Sequence, residues 1–279
     1  CESARQRDDR TSRAFWMTTA ASHATTGVVR FSHPEKLVQM YDDTLSLLQQ
    51  MDDEELQPLL TGVVIVHRMN INTSLGRLEE TLDDLVVLQS LTHVDGGQPL
   101  FLTFGELNSA EAYLRLGRQD EAKALALRMV EQALSLPPDH EQRDYLITVT
   151  HGNLARIQRA MGEQEASFGT VQIAVEHAEY VDDIRYVDVA AAANTNCMAS
   201  ALPLAYRDHA RDCARRYASL ELPPNAYVDG LVRLSRAAEG STVDSAELAE
   251  LEHRYFDTAP EVFLTEIEEW EQANRHRLG

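Results

Sequence analysis

Ala112-Tyr113-Leu114-Arg115-Leu116-Gly117-Arg118-Gln119-Asp120-Glu121-Ala122 packs a helix exit, a tight turn and a helix entrance into one short stretch. Gly117 lacks a Cβ and suits the left-handed conformation that a helix exit needs. Asp120 and Glu121 follow where a helix N-terminus favours negative charge, and Ala122 is small enough to let the second helix approach the first. The pattern recurs. Leu75-Gly76-Arg77-Leu78-Glu79-Glu80-Thr81 precedes it, Met161-Gly162-Glu163-Gln164-Glu165-Ala166 follows with one residue fewer, and Leu204-Ala205-Tyr206-Arg207-Asp208-His209-Ala210 restores the length. The anchors at 76, 117, 162 and 205 are 41, 45 and 43 residues apart, and a weaker fifth turn lies at Gly240 to Ala246. A period of this size marks stacked supersecondary units, because neither helix of a hairpin can bury its apolar face alone.

Working outward, the same helical grammar covers most of the chain. Leu37, Met40, Tyr41, Leu45 and Leu48 follow Pro34 at three- and four-residue spacing, as one face of a helix requires. Residues 1–33 carry charge, Ser, Thr and Ala without an apolar period and are expected to form a flexible N-terminal tether. Residues 34–279 are expected to form the repeat array, with a capping helix pair over Val243 to Arg275. Pro34 to Asn72 reads either as a full hairpin or as a cap. Only 13 Gly and 9 Pro punctuate 279 residues, too few for an all-β fold built on tight turns. There is no run of about 18 apolar residues to span a bilayer.

Lys and Arg number 25 against 45 Asp and Glu, a net charge of −20. Such a surface repels phosphate backbones, so nucleic acid is not an expected partner. Part of the excess gathers near the C-terminus, at Glu261, Glu266, Glu268, Glu269 and Glu271, where it reads first as a solvated face.

The stretch 112–122 resembles the centre of a tetratricopeptide repeat, with Tyr113, Gly117 and Ala122 at that family's spacing. The resemblance implies an all-α, right-handed superhelix of about five antiparallel helix hairpins, the first helix of each lining a concave surface. It covers roughly residues 55 to 220. The other units match only at the turn: Tyr113 is replaced by Asn72, Gln158 and Ala201, and an early apolar position is taken by Glu106, His151 or Asn194. The repeats also exceed the usual length of about 34 residues.

Nine residues before each anchor stand His67, Asn108, Asn153 and Asn196. Asn has no intrinsic use inside a helix, because its amide competes with the backbone. Stacked repeats would align these amides as a ladder of paired donors and acceptors, suited to the backbone of an extended peptide. Solvation on an inner face, or bonding between adjacent repeats, would use the same residues. By the resemblance, Asn70, Glu111, Arg115, Arg156 and Arg159 should sit on or near the concave surface. The three arginines there would favour a ligand with acidic groups.

The chain begins with Cys1. A first-position Cys before a polar stretch resembles a mature bacterial lipoprotein, with the lipid on Cys1; the other reading is a fragment boundary. Cys197 and Cys213 lie eight residues either side of Ala205, where residues of an antiparallel hairpin can face one another. They read equally as a disulfide in an oxidising compartment or as two buried thiols. Asn72-Thr73-Ser74 is a glycosylation sequon, relevant only in a eukaryotic secretory route. No phosphate-cradling Gly loop, zinc-type Cys pairing or nucleophile elbow is present, and the ten His are scattered. No metal, cofactor or catalytic residue is expected.

The expected function is a non-enzymatic scaffold that binds a protein or peptide in its concave groove. It would act as an exported, lipid-anchored assembly or biogenesis factor, or as an accessory subunit of a larger complex. The alternative is a cytoplasmic repeat-type regulator that senses a peptide signal.

Overall fold

A computed structural model describes residues 34–50, 56–91, 100–181, 187–204, 206–220 and 231. Cys1 and the expected tether, the weak turn at Gly240 and the capping pair lie outside them. The described residues form nine α-helices and no strand: α1 (Pro34–Leu48), α2 (Leu56–Ser74), α3 (Leu78–Ser90), α4 (Leu100–Arg115), α5 (Gln119–Ser135), α6 (Arg143–Ala160), α7 (Gln164–Ala178), α8 (Val187–Ala201) and α9 (Arg207–Ala218). The fold is all-α, and the turns predicted from the sequence join α2 to α3, α4 to α5, α6 to α7 and α8 to α9. The chain divides into two compact units, Cys1–Leu125 and Ala126–Gly279.

One device makes the turns. Gly76, Gly117 and Gly162 have φ of 75°, 75° and 79°, the left-handed region in which a Cβ is strained. The residue after each glycine donates its N–H back across the turn. Arg77 reaches the Asn72 carbonyl at 2.8 Å, Arg118 reaches Tyr113 at 2.9 Å and Glu163 reaches Gln158 at 2.8 Å. Tyr206 makes the same bond to Ala201 at 3.0 Å in the fourth turn. Each bond satisfies a carbonyl that the helix end would otherwise leave bare. The third turn corrects the expected shortening: the fully buried small residue there is Ser167, five positions after the glycine as Ala122 is, while Ala166 is exposed. Ser167 replaces alanine without loss because its hydroxyl donates to the Ala155 carbonyl at 2.7 Å.

In the first unit, α1 packs on α2, and α2 on both α3 and α4. Over Pro34 to Asn72, α1 packs on α2, and α2 also turns at Gly76 to pair with α3. The predicted face of α1 is the buried one: Leu37, Tyr41 and Leu48 join Leu60, Val64 and Ile71 in one cluster. An ionic clasp links the three helices. Arg68 Nε donates to Asp84 Oδ2 at 3.1 Å and its Nη2 to the other carboxylate oxygen, while Nη1 donates to Asp42 at 2.6 Å. Burial pushes the Asp84 carboxyl upward, and Arg68 beside it pulls the other way. In the second unit, α6 packs on α7, α7 on α8, and α8 on both α6 and α9. Its core joins Val171, Ala174 and Val175 to Met198, Leu202 and Leu231.

Nothing lies within 4 Å of a Cβ placed on Gly117 or Gly162, so the cost of a side chain there is purely one of backbone conformation. Gly117→Ala and Gly162→Ala should each destabilise the protein by ~1–2 kcal/mol in urea unfolding. Gly117→Asn should cost less, since Asn tolerates the left-handed region.

Candidate functional site

The candidate residues lie on the first helices of the hairpins, three of which carry Asn nine positions before the turn. His67 holds that position on α2 and is partly buried. Its ring stacks on Tyr41 of α1, with centroids 6.4 Å apart and planes 13° from parallel, and burial lowers its pKa. The extra helix α1 thus covers the place that the asparagines keep in later repeats.

In the first unit, Asn108 on α4 is partly buried. On α2, Asn70 is also partly buried, and its Oδ1 is shielded from solvent with no donor among the described residues. Glu111 is partly buried one turn beyond Asn108. Arg115 is used differently from the expectation: its Nη1 donates to the Thr73 carbonyl at the end of α2, a bond spanning one repeat. It ties neighbouring repeats together by capping a helix terminus.

In the second unit, Asn153 and Arg156 stand one turn apart on α6, and Arg156 donates to Asn153 Oδ1 at 3.4 Å. That contact orients the amide. Asn153 Nδ2 is left buried, with no acceptor among the described residues. Asn196 on α8 reaches across to α6, its Nδ2 lying 3.8 Å from where a Cβ on Gly152 would stand. The inner faces of α6 and α8 therefore bring Asn196 to the residue beside Asn153. Arg159 is not on this open face. It is 7% exposed and donates to Ser200 Oγ at 3.4 Å, and Ser200 in turn bonds Ser167 at 2.8 Å.

Sequence reasoning missed a set of buried amides. Asn72, Gln158 and Asn194 are each at least nine-tenths buried, and each has a side-chain oxygen without a donor among the described residues. Their signal was present, since Asn72 and Gln158 occupy the register of Tyr113, but replacement of an aromatic by an amide reads as drift until burial is known. The buried position of Asn72 also leaves no room for a glycan on the Asn72-Thr73-Ser74 sequon. Cys197 on α8 and Cys213 on α9 are joined as a disulfide with Cα atoms 6.2 Å apart.

No family model matches the chain, and no curated protein matches its sequence. The chain is similar to a solved structure, the crystal structure of Rap protein complexed with Competence and Sporulation Factor. The two share 14% identity and a TM-score of 0.63, over 99% of this chain and 73% of that one. At that identity the likeness establishes the fold, a tetratricopeptide-like array of helix hairpins.

One titratable group sits within the α6 layer. His151 is 4% exposed, and its Nδ1–H donates to the Ile147 carbonyl at 2.9 Å. Burial holds its pKa below the ordinary imidazole value, outweighing the Ile147 hydrogen bond that acts the other way, and the charge of His177 adds to the lowering. A depressed value means that folding favours the neutral ring. The stability is complete above the unfolded value of about 6.5 and is lost as pH falls through the folded value. Chemical denaturation between pH 7.5 and 5.5 should show falling stability, and His151→Asn, which keeps a donor for Ile147, should flatten that slope.

Proposed function

We propose that this chain is a non-enzymatic binding module that holds an extended segment of a peptide or protein partner against the first helices of its hairpins. The observation that carries the reading is the coincidence of register and unmet bonding. Asn stands at one position of three consecutive hairpins, and Asn153, oriented by Arg156, keeps a buried donor without an acceptor. A buried amide without a partner costs about 1–3 kcal/mol, and a peptide carbonyl delivered to it would recover that loss. Glu111 and Arg156 stand at equivalent positions, six before their turns, and would discriminate among ligand side chains by charge.

Between the two settings that the sequence allows, a regulator responding to a peptide signal is favoured. The similar Rap structure is itself a complex with Competence and Sporulation Factor, so this fold accommodates such a factor. Lipid attachment at Cys1 is a separate proposal, tested by mass spectrometry of the native protein's N-terminal peptide.

The triple variant Asn108→Ala/Asn153→Ala/Asn196→Ala should keep the helical circular dichroism of the parent and lose its partner in pull-downs from native extract. A loss of ~1 kcal/mol per hydrogen bond would weaken binding by roughly a hundredfold or more. Recovery of the same partner at the same yield would sink the groove reading and direct attention to the second helices.

A further inference from the structure

The hairpins differ in what fills their interiors. The α2 and α3 pair buries Ile65, Met69, Leu85 and Leu88, and the α6 and α7 pair buries Ile147, Leu154, Ile157 and Val171. The α8 and α9 pair buries Ala193, Ala201, Ala210 and Ala214, with Met198 as the one large apolar side chain buried on those two helices among the described residues. An alanine methyl removes far less apolar surface from water than leucine or isoleucine, and it offers no knob to resist sliding. This hairpin is the one joined through small side chains, the large residues of its cluster (Val171, Val175, Leu202 and Leu231) lying outside the two helices, and it is the one that carries the Cys197–Cys213 bond.

The bond is placed beside the candidate site. Cys197 directly follows Asn196 on α8, and the Asn196 amide rests near Gly152 of α6. Gln172 on α7 donates to Cys197 Sγ at 3.6 Å. Whatever fixes Cys197 against α9 and α7 also fixes the backbone that presents Asn196.

We propose that the Cys197–Cys213 pair is a redox latch on the ligand-binding face, an inference that rests on the groove reading above. With the bond closed, α8 is held in place and Asn196 is ordered before the ligand arrives. With the bond open, the alanine-lined hairpin opens locally more often, and the ligand must order α8 as it binds, which lowers affinity.

Opening takes a dithiol reductant and proceeds by exchange. Cys213 is 4% exposed and Cys197 fully buried, so the reductant's first thiolate attacks Cys213 Sγ. The S–S bond breaks, Cys197 leaves as a thiolate and takes up a proton, and a mixed disulfide remains on Cys213. The reductant's second thiolate then displaces Cys213, which is protonated in turn, and the reductant departs as its own disulfide. Two electrons pass to the pair, and two protons accompany them.

The test uses a fluorescent peptide selected from a random library against the oxidised protein, in a Cys1→Ser background so that the pair is the sole redox couple. Affinity is measured by anisotropy with and without a dithiol reductant, alongside hydrogen exchange of residues 187–201. Reduction should weaken the probe on the order of tenfold and speed exchange in α8, while leaving residues 56–74 unchanged. Cys197→Ala/Cys213→Ala should reproduce the reduced protein, and the reduction of the parent decides the matter where that variant does not fold. Equal affinity in both redox states, with the probe still lost in Asn153→Ala/Asn196→Ala, overturns the latch and leaves the groove reading intact. Probe binding that survives those two substitutions overturns the groove reading instead. Unchanged exchange in α8 on reduction overturns the latch whatever the probe does.

Discussion

A single backbone hydrogen bond, made five residues back across the turn between paired helices, organises this molecule. Arg77 to Asn72, Arg118 to Tyr113, Glu163 to Gln158 and Tyr206 to Ala201 are the same bond made four times. Three residues separate the helices of the first three hairpins and five those of the fourth, so the second helix folds back along the first. The separations between anchors then set where each first helix stands in its repeat. Every position discussed above, from the core residues of α6 to the asparagines, is counted from that bond. Three of the four turns use glycine at φ near 75° to 79°, because there the chain needs a conformation that a side chain opposes.

With the turns fixed, the hairpins are held by different means, and the differences follow side-chain size. Large aliphatic residues fill the space between α6 and α7 and supply their own shape complementarity. Around α2, apolar packing is joined by Arg68, which engages carboxylates of α1 and α3 together. Arg115 extends this tying from one repeat to the next by donating to the Thr73 carbonyl. Between α8 and α9 the side chains are small, and a covalent bond joins the two helices. A polar seam around Ser167 and Ser200 is tolerated because each hydroxyl has a partner, whereas the amide oxygens of Asn72, Gln158 and Asn194 have none among the described residues.

The candidate site follows from the same geometry. In the second unit the first helices α6 and α8 lie side by side, so residues at one register of those two helices come close together. Asn153 in that register faces a demand that the described residues do not meet. Arg156 bonds one end of the Asn153 amide and leaves the other end wanting an acceptor. The first hairpin departs from that register for a clear reason: α1 packs on α2, and His67 stacks on Tyr41 instead of offering an amide. On α2 the Asn70 oxygen is likewise unmatched among the described residues.

The sequence by itself determined the helices, the turns and the register of the asparagines. All three are local properties: glycine tolerance of positive φ, acidic residues at helix starts, and apolar spacing of three and four residues. It also placed Cys197 and Cys213 symmetrically about Ala205 and left their pairing open. Only the tertiary structure decided which polar residues are open and which are enclosed. Arg115 and Arg159 looked like their neighbour Arg156 in one dimension, yet one caps a carbonyl of the preceding repeat and another is buried against Ser200. That choice depends on which side chain from a residue some 40 positions away arrives beside it, and no local pattern encodes that distance. The same reason explains Ser167 in place of Ala166. The spacing of buried residues is measured along the packed face of α7, and that face exists only once α6 lies against it.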